Sequence, residues 1–177
     1  MTPILGIIGS QASTASFESI ASTTLAADGT VTFSSIPQTY RHLHLRIVAR
    51  PGTGADYLML QANGQTSNVY QRRRIVGAGS TPSGAQLSNT FYMFAGYTDK
   101  SGNYWSVSYV DVFDYAQTNK YKMVRAMGGW TDNGASPFFG LFDSVYRQTT
   151  AITSLTISMP GANLLAGSTV ALYGIKE

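Results

Sequence analysis

Alternation of apolar and polar residues with a period of two is the clearest pattern in this chain. It is sharpest between Arg41 and Arg50. One face of that segment collects Leu43, Leu45, Ile47 and Ala49, and the other collects His42, His44, Arg46 and Arg50. Because successive side chains of a β-strand point to opposite sides, the pattern predicts a strand with one buried face.

Shorter stretches of the same kind predict that strands fill most of the chain. The other predicted strands cover residues 30–36, 57–62, 69–76, 91–97, 104–115, 119–127, 138–146, 152–159 and 169–175. Turn formers separate them. The Asn63-Gly64 pair is a dipeptide favoured in tight hairpins, so we expect the strand before it to pair with the strand after it.

Three local details refine this picture. In the longest predicted strand the inward set begins as Trp105, Val107 and Tyr109 and then shifts to Val110 and Val112, which predicts a β-bulge near Tyr109. Residues 77–85 are rich in glycine and other small residues, which predicts a flexible surface loop. The Gly128-Gly129 pair is expected to end the strand that precedes it.

These elements predict an all-β fold. No segment shows the sustained i, i+3, i+4 apolar pattern of a long helix. Eight to ten short strands at regular spacing favour a single β-sandwich, jelly-roll-like, over residues 12–177. Residues 1–11 are predicted to form an N-terminal arm or an added edge strand. The apolar side chains of that segment are Ile4, Leu5, Ile7 and Ile8, which we expect to serve particle attachment or oligomerisation.

The composition favours a protein that associates with others. Hydrophobic residues make up 44% of the chain and charged residues 12%, about half the usual charged share. The formal net charge is only +3, and Arg72-Arg73-Arg74 is the one dense basic cluster, so no nucleic-acid partner is expected. That cluster could contact phosphate or an acidic partner, but we interpret it as a solvated strand or loop with one arginine turned toward a carboxylate. The chain has no cysteine, no apolar run long enough for a membrane span and no signal-peptide pattern.

The candidate catalytic and metal-binding residues are sparse. His42 and His44 have a workable i, i+2 spacing for a metal, but neighbouring arginines oppose a divalent cation, and a polar outer face is the favoured interpretation. Asp111 and Asp114 could suggest a carboxylate pair, yet a three-residue spacing on a strand points them to opposite faces. With no nucleophile, phosphate-loop or dinucleotide motif, we predict no enzyme, no cofactor and no metal.

The aromatic residues near predicted loops offer a binding hypothesis. An exposed ring can stack on the apolar face of a sugar while nearby polar groups take its hydroxyls. The predicted receptor-binding residues are Trp130, Asp132, Asn133, Tyr97, Tyr104 and Trp105, with Asp99 and Asn103 close by. The alternative is that these rings fill the core of the sandwich or the axis of a trimer.

Three blocks of the sequence stand out as a set. The first is the opening at residues 3–8, and the second is residues 33–43, Phe-Ser-Ser-Ile-Pro-Gln-Thr-Tyr-Arg-His-Leu. The third combines residues 111–125 with the end of the chain, residues 151–157 and 171–176. These blocks resemble small β-rich virion proteins of tailed bacteriophages, and residues 111–125 and the chain end are the more specific parts of the resemblance.

The resemblance implies a structural component of the virion, such as a capsid decoration protein, a head fibre or a tail-fibre tip. It implies no catalytic residue. Together with the composition, it predicts a homo-oligomer, with a trimer as the favoured stoichiometry, that contacts other virion proteins. Such a protein is assembled in the host cytoplasm and released with the virion. A module that binds a host surface glycan is the alternative function, and neither function involves a membrane.

Overall fold

The structure is a computed structural model that describes residues 16–52, 54, 56–99, 103–130 and 137–176. Every regular element among these residues is a β-strand. The strands are β1 Phe17–Thr24, β2 Val31–Phe33, β3 His42–Ala49, β4 Tyr57–Ala62, β5 Tyr70–Ala78, β6 Thr81–Thr90, β7 Met93–Tyr97, β8 Ser106–Phe113, β9 Lys122–Trp130, β10 Phe138–Tyr146, β11 Leu155–Ser158 and β12 Thr169–Ile175. In these ranges no helix has the length and apolarity needed to cross a membrane.

The strands form two antiparallel sheets that pack face to face. The large sheet has the order β1-β12-β3-β8-β9-β10-β5-β6, and the small sheet has the order β2-β11-β4-β7. Strand β7 of the small sheet packs over β8, β9 and β10 of the large one. The predicted all-β sandwich is therefore confirmed, whereas the jelly-roll connectivity stays a prediction.

The core lies between the sheets and is built by the alternating strands. Leu43, Leu45 and Ile47 of β3 are fully buried, as the pattern predicts, and belong to the same core cluster as Leu58 and Leu60 of β4. Each fully buried side chain of this kind contributes about 1.5–3 kcal/mol. This burial leaves the even-numbered residues of β3 on the outer side of the large sheet.

One tyrosine ties the two sheets together. The hydroxyl of Tyr70 at the start of β5 accepts a hydrogen bond from the Ala62 N–H at 3.0 Å and lies 3.1 Å from the Gln65 carbonyl, to which it donates. Burial raises the pKa of Tyr70 to about 12. The bonds hold the turn at Asn63-Gly64 against the large sheet.

That turn joins the two sheets instead of closing a hairpin. Asn63 and Gly64 have φ values of 52° and 64°, as expected for the tight turn that this dipeptide favours. However, β4 pairs with β7 and β11, while β5 pairs with β6 and β10. The predicted pairing across the turn is wrong because the next strand belongs to the opposite sheet.

Two other local predictions are corrected. The pairing of β8 with its neighbours is regular, so there is no bulge near Tyr109. Register shifts lie instead on β7 opposite Leu58 and Met59, on β1, and between β5 and β6. Residues 77–85 do not form a loop: they complete β5 and begin β6, which together make a hairpin. Small residues there suit an exposed edge strand.

Two strand boundaries also differ from expectation. Strand β9 continues through Gly128 and Gly129 to Trp130. Strand β1 was not predicted because its large apolar residues, Phe17 and Ile20, do not alternate with a period of two, and it lies at the edge of the sheet beside β12. The first fifteen residues, including the predicted arm at 1–11, lie outside the described residues.

Candidate functional site

The outer face of the large sheet is unusually apolar for a surface. Its exposed apolar side chains are Val48, Ile75, Trp105, Val107, Tyr109, Met123, Met127, Phe139 and Leu141, each between 38% and 65% exposed. They share this face because the residues that alternate with them on β3, β8, β9, β10 and β5 face the core, and all but Met123, which lies beyond Arg125, are neighbours. A contiguous apolar surface of this size on a soluble protein marks a site of interaction.

The strand register lines up the centre of this surface in a row across the sheet. Tyr109 of β8 lies beside Met127 of β9, Met127 beside Leu141 of β10, and Leu141 beside Ile75 of β5. We call these four residues the apolar row. Since neighbouring strands are about 4.8 Å apart, the row spans roughly 15 Å.

A second row of alternating charges runs beside the apolar row. Asp111 pairs in register with Arg125, Arg125 with Asp143, and Asp143 with Arg73, one residue from each of β8, β9, β10 and β5. We call these four residues the charged row. Its ion pairs are long, 3.8 Å from Arg73 Nε to Asp143 Oδ2 and 4.0 Å from Arg125 Nε to Asp143 Oδ1.

The charged row therefore contains groups that can form further hydrogen bonds and ion pairs. Arg73 and Arg125 have side chains that are 54% and 71% exposed. Asp143 Oδ1 is buried and has no hydrogen-bond partner among the described residues. A buried acceptor in this position costs free energy until a donor reaches it.

Two neighbouring grooves run over this face. One, of about 780 Å³, lies between the two rows and is lined by residues that include Tyr109, Arg125 and Asp143. The other, of about 580 Å³, continues past Met127 toward Trp105 and Phe139. Tyr109 and Met127 line both grooves, so the face is a single continuous surface.

The remaining part of the outer face is covered by rings and cations of the chain itself. The Phe17 and Tyr173 rings stack at 4.8 Å, and the Arg46 guanidinium lies over both. His44 Nδ1 contacts Asp111 Oδ1 at 2.7 Å, while His42 Nδ1 accepts a hydrogen bond from the Asp114 N–H at 3.0 Å. No group of metal-ligating side chains gathers in the described ranges.

The three consecutive arginines are divided between the two faces of β5. Arg73 points outward to Asp143, which confirms the prediction of one arginine turned toward a carboxylate. Arg72 points inward, where its guanidinium lies 3.9 Å from the centre of the Tyr92 ring and 4.4 Å from that of Phe94. Burial lowers the pKa of Arg72.

The predicted aromatic receptor site is only partly assembled. Tyr104 and Trp130 stack with ring centres 6.4 Å apart and planes 11° apart, and Tyr104 is exposed. Tyr97 is not part of this platform, because its ring is buried against Phe138, with centres 4.3 Å apart. The expectation that the Tyr97 ring lies exposed in the receptor site is therefore wrong, because this ring belongs to the core.

The polar groups around that platform play different parts. The Asp99 carboxylate is buried and accepts the N–H groups of Asn103 and Tyr104 at 2.9 and 3.0 Å, so it holds the loop and is turned away from solvent. Trp105 is exposed on the outer face, with the Arg50 guanidinium 5.7 Å from its ring centre. Asp132 and Asn133, like Ile4, Leu5, Ile7 and Ile8, lie outside the described residues.

Sequence reasoning missed the outer face because it placed several of its residues inside. It assigned Trp105, Val107 and Tyr109 to the core, whereas the inward residues of that strand begin with Ser106 and Ser108. The signal that could have found the face is the charge of Asp111 and Arg125, which share one side of β8 with Tyr109 and one side of β9 with Met127. Those charges fix which side of β8 and β9 meets solvent.

Comparisons with known proteins name no family for this chain. No protein-family model matches it, and no curated protein matches it. Among solved structures, the chain is similar to the galectin LEC-6 of Caenorhabditis elegans, with 11% identity over 88% of this chain and 96% of that chain and a TM-score of 0.38. A likeness at this level identifies neither a family nor a ligand.

Proposed function

We propose that this chain is a non-catalytic structural subunit that acts by burying the outer face of its large sheet against other subunits. The observation that carries the proposal is the contiguous apolar row with its flanking exposed rings. Exposed fractions of 38–65% leave these nine side chains with an area on the order of several hundred Å² in all, since a whole aromatic side chain alone has about 150–250 Å². A standard interface takes about 800 Å² from each partner.

The proposed assembly is the virion of a tailed bacteriophage, in which the chain is a decoration or fibre subunit. This part of the proposal rests on the resemblance of residues 33–43, 111–125 and the chain end to such proteins. The low charged fraction and the apolar face agree with a subunit that remains bound to neighbouring subunits. No catalytic residue or cofactor enters this role.

The test is incorporation into particles. A wild-type chain should remain on purified particles through a high-salt wash, because apolar contacts do not weaken with ionic strength. The variant Leu141→Asp places a charge in the middle of the apolar row and should be lost from particles. Phe91→Asp is the matched control, since Phe91 is also about half exposed but lies beside the small sheet. Equal retention of both variants would refute the role of the face.

The arm offers a second test of the same proposal. Residues 1–11 carry four large apolar side chains whose burial could contribute on the order of 6–10 kcal/mol before the cost of ordering the segment. Deleting them should leave the sandwich folded, as judged by circular dichroism, and weaken particle binding or oligomerisation. Unchanged incorporation of the shortened chain would remove attachment from the functions of this segment.

Glycan binding is the second candidate function, and the stacked pair Tyr104 and Trp130 favours it. Two parallel rings beside a loop can hold the apolar face of a sugar. Trp130→Ala should then abolish binding to the glycan found on an array while the melting temperature falls by only a few degrees. A large loss of stability without a specific loss of binding would assign Trp130 a packing role.

A further inference from the structure

We propose that the outer face binds the outer face of a second copy about a two-fold axis that runs parallel to the strands between β9 and β10. The proposal rests on the proposed assembly role and names its first partner. The observation behind it is the order of signs along the charged row: negative, positive, negative and positive across β8, β9, β10 and β5. This order is complementary to its own reverse.

The rotation brings every acid opposite a base. Turning a second copy about the axis reverses the order of its strands and leaves each row opposite the same row. Asp111 then faces Arg73 of the partner subunit, and Arg125 faces Asp143 of the partner subunit. The apolar row faces the apolar row, with Met127 and Leu141 next to the axis.

Axes of two other kinds fail on the same test. An axis along β9 would set Arg125 opposite its own symmetry mate and Asp111 opposite the partner's Asp143. An axis at right angles to the strands would set each charged residue opposite its own mate or opposite the apolar row, and like charges directly opposed are destabilising. An axis one strand to either side, between β8 and β9 or between β10 and β5, also opposes unlike charges but pairs only two residues of the charged row, whereas the axis between β9 and β10 pairs all four.

The two rows have different tasks in this pairing. The free energy needed to remove four ion pairs from water is about equal to the free energy of their attraction. The charged row therefore determines how the two faces are aligned and which partner is chosen. The apolar row contributes affinity through burial. Guanidinium groups that make only long contacts within the chain remain able to bond the exposed part of the carboxylates of a second copy.

The test uses two variants that cannot pair with themselves. In the acidic variant, Arg73→Glu and Arg125→Glu make the whole row negative. In the basic variant, Asp111→Lys and Asp143→Lys make it positive. All four positions lie on the outer face, and circular dichroism with thermal melting checks that each variant folds.

Each variant alone should dissociate to a single chain in light scattering, and an equimolar mixture should form a one-to-one complex of twice that mass. A folded variant that associates as well as wild type, or a mixture that stays at the mass of one chain, overturns the two-fold pairing. A monomeric wild type would overturn it as well. If the pairing fails while the chain still enters particles through its outer face, the assembly role stands and only the partner is wrong.

Discussion

At the scale of single residues, Lys122 is a charged side chain with no solvent exposure. Its ammonium donates to the carbonyl oxygens of Thr149 and Thr150 at 2.6 and 2.7 Å, and it contacts those of Lys120 and Gln148 at 3.2 and 3.3 Å. Burial lowers the pKa of Lys122, and the carbonyl oxygens hold the charge in place. The side chain thus fixes the segment that follows β10.

Replacing Lys122 should therefore destabilise the fold. Lys122→Met removes the donor for these carbonyl groups, and we expect the free energy of unfolding to fall by about 2–4 kcal/mol in urea titration. Lys120→Met is the matched control, because the Lys120 ion pair with Asp114 is exposed and worth about 0–1 kcal/mol. Equal losses in the two variants would contradict this account of Lys122.

Asp114 should contribute to stability in a pH-dependent way. A hydrogen bond from Lys120, together with attraction by Arg41, holds the pKa of this carboxyl below its usual value. A carboxyl whose pKa is lower in the folded than in the unfolded chain stabilises the fold above its unfolded pKa of about 3.9. That contribution is lost as the pH falls through the folded pKa.

The variant Asp114→Asn tests this contribution. Asparagine tolerates the φ of 51° that Asp114 adopts, so the backbone should be preserved. In denaturant titrations from about pH 5 to about pH 2, the free energy of unfolding should fall less steeply for the variant than for wild type. If the free energies of unfolding of the variant and wild type fell in parallel with pH, Asp114 would not be the source of the pH dependence.

At the scale of elements, Gly128 shows why one strand boundary could not be predicted. A glycine pair usually marks the end of a strand, yet β9 continues through it. A Cβ at Gly128 would lie 2.6 Å from the Val107 carbonyl oxygen and 2.8 Å from the Ser108 Cα, and would also strike the Ser108 hydroxyl. The glycine is therefore required by the close approach of β8, which no single segment of sequence reveals.

Gly128→Ala should accordingly cost about 2–3 kcal/mol through overpacking. Gly77→Ala on β5 is the matched control, because a Cβ there meets no atom within 4 Å and the backbone does not need a positive φ. Thermal melting of the two variants should show a clear loss for Gly128→Ala and little change for Gly77→Ala. A well-tolerated alanine at position 128 would mean that β8 can move away.

Strands with strong alternation were the predictable elements. The bounds of β4, β10 and β12 agree with the expected ranges, and the buried residues of β3 are those of the apolar face. Pairing was harder to predict because it depends on the opposite sheet. The Asn63-Gly64 turn has the expected geometry but leads from the small sheet to the large one. The hydrogen bond between the Ala62 N–H and the Tyr70 hydroxyl holds it against the large sheet.

At the scale of the whole molecule, the outer face could not be predicted because its residues look like core residues. Tyr109, Met127 and Leu141 have the apolarity of an inward face, and only the register of four strands shows that they share the outer side with alternating charges. Of the expected aromatic site, the structure stacks the rings of Tyr104 and Trp130. The attachment segment stays a prediction from sequence.

The number of chains in the isolated oligomer distinguishes a trimer from an assembly built on two-fold pairs. Composition and resemblance favour a trimer, whereas pairing about a two-fold axis predicts an even number of copies. Both require that the isolated chain associate, and both place apolar surface at the contact. The mass in solution therefore tests them against each other as well as against a monomer.

The most direct test of the central claim is the mass of the purified protein by light scattering over a range of micromolar concentrations. The account predicts that wild type and Phe91→Asp have at least twice the mass of one chain, and that Leu141→Asp, folded by circular dichroism, has the mass of one chain. A monomeric wild type, or a Leu141→Asp variant that associates as wild type does, would contradict assembly through the outer face.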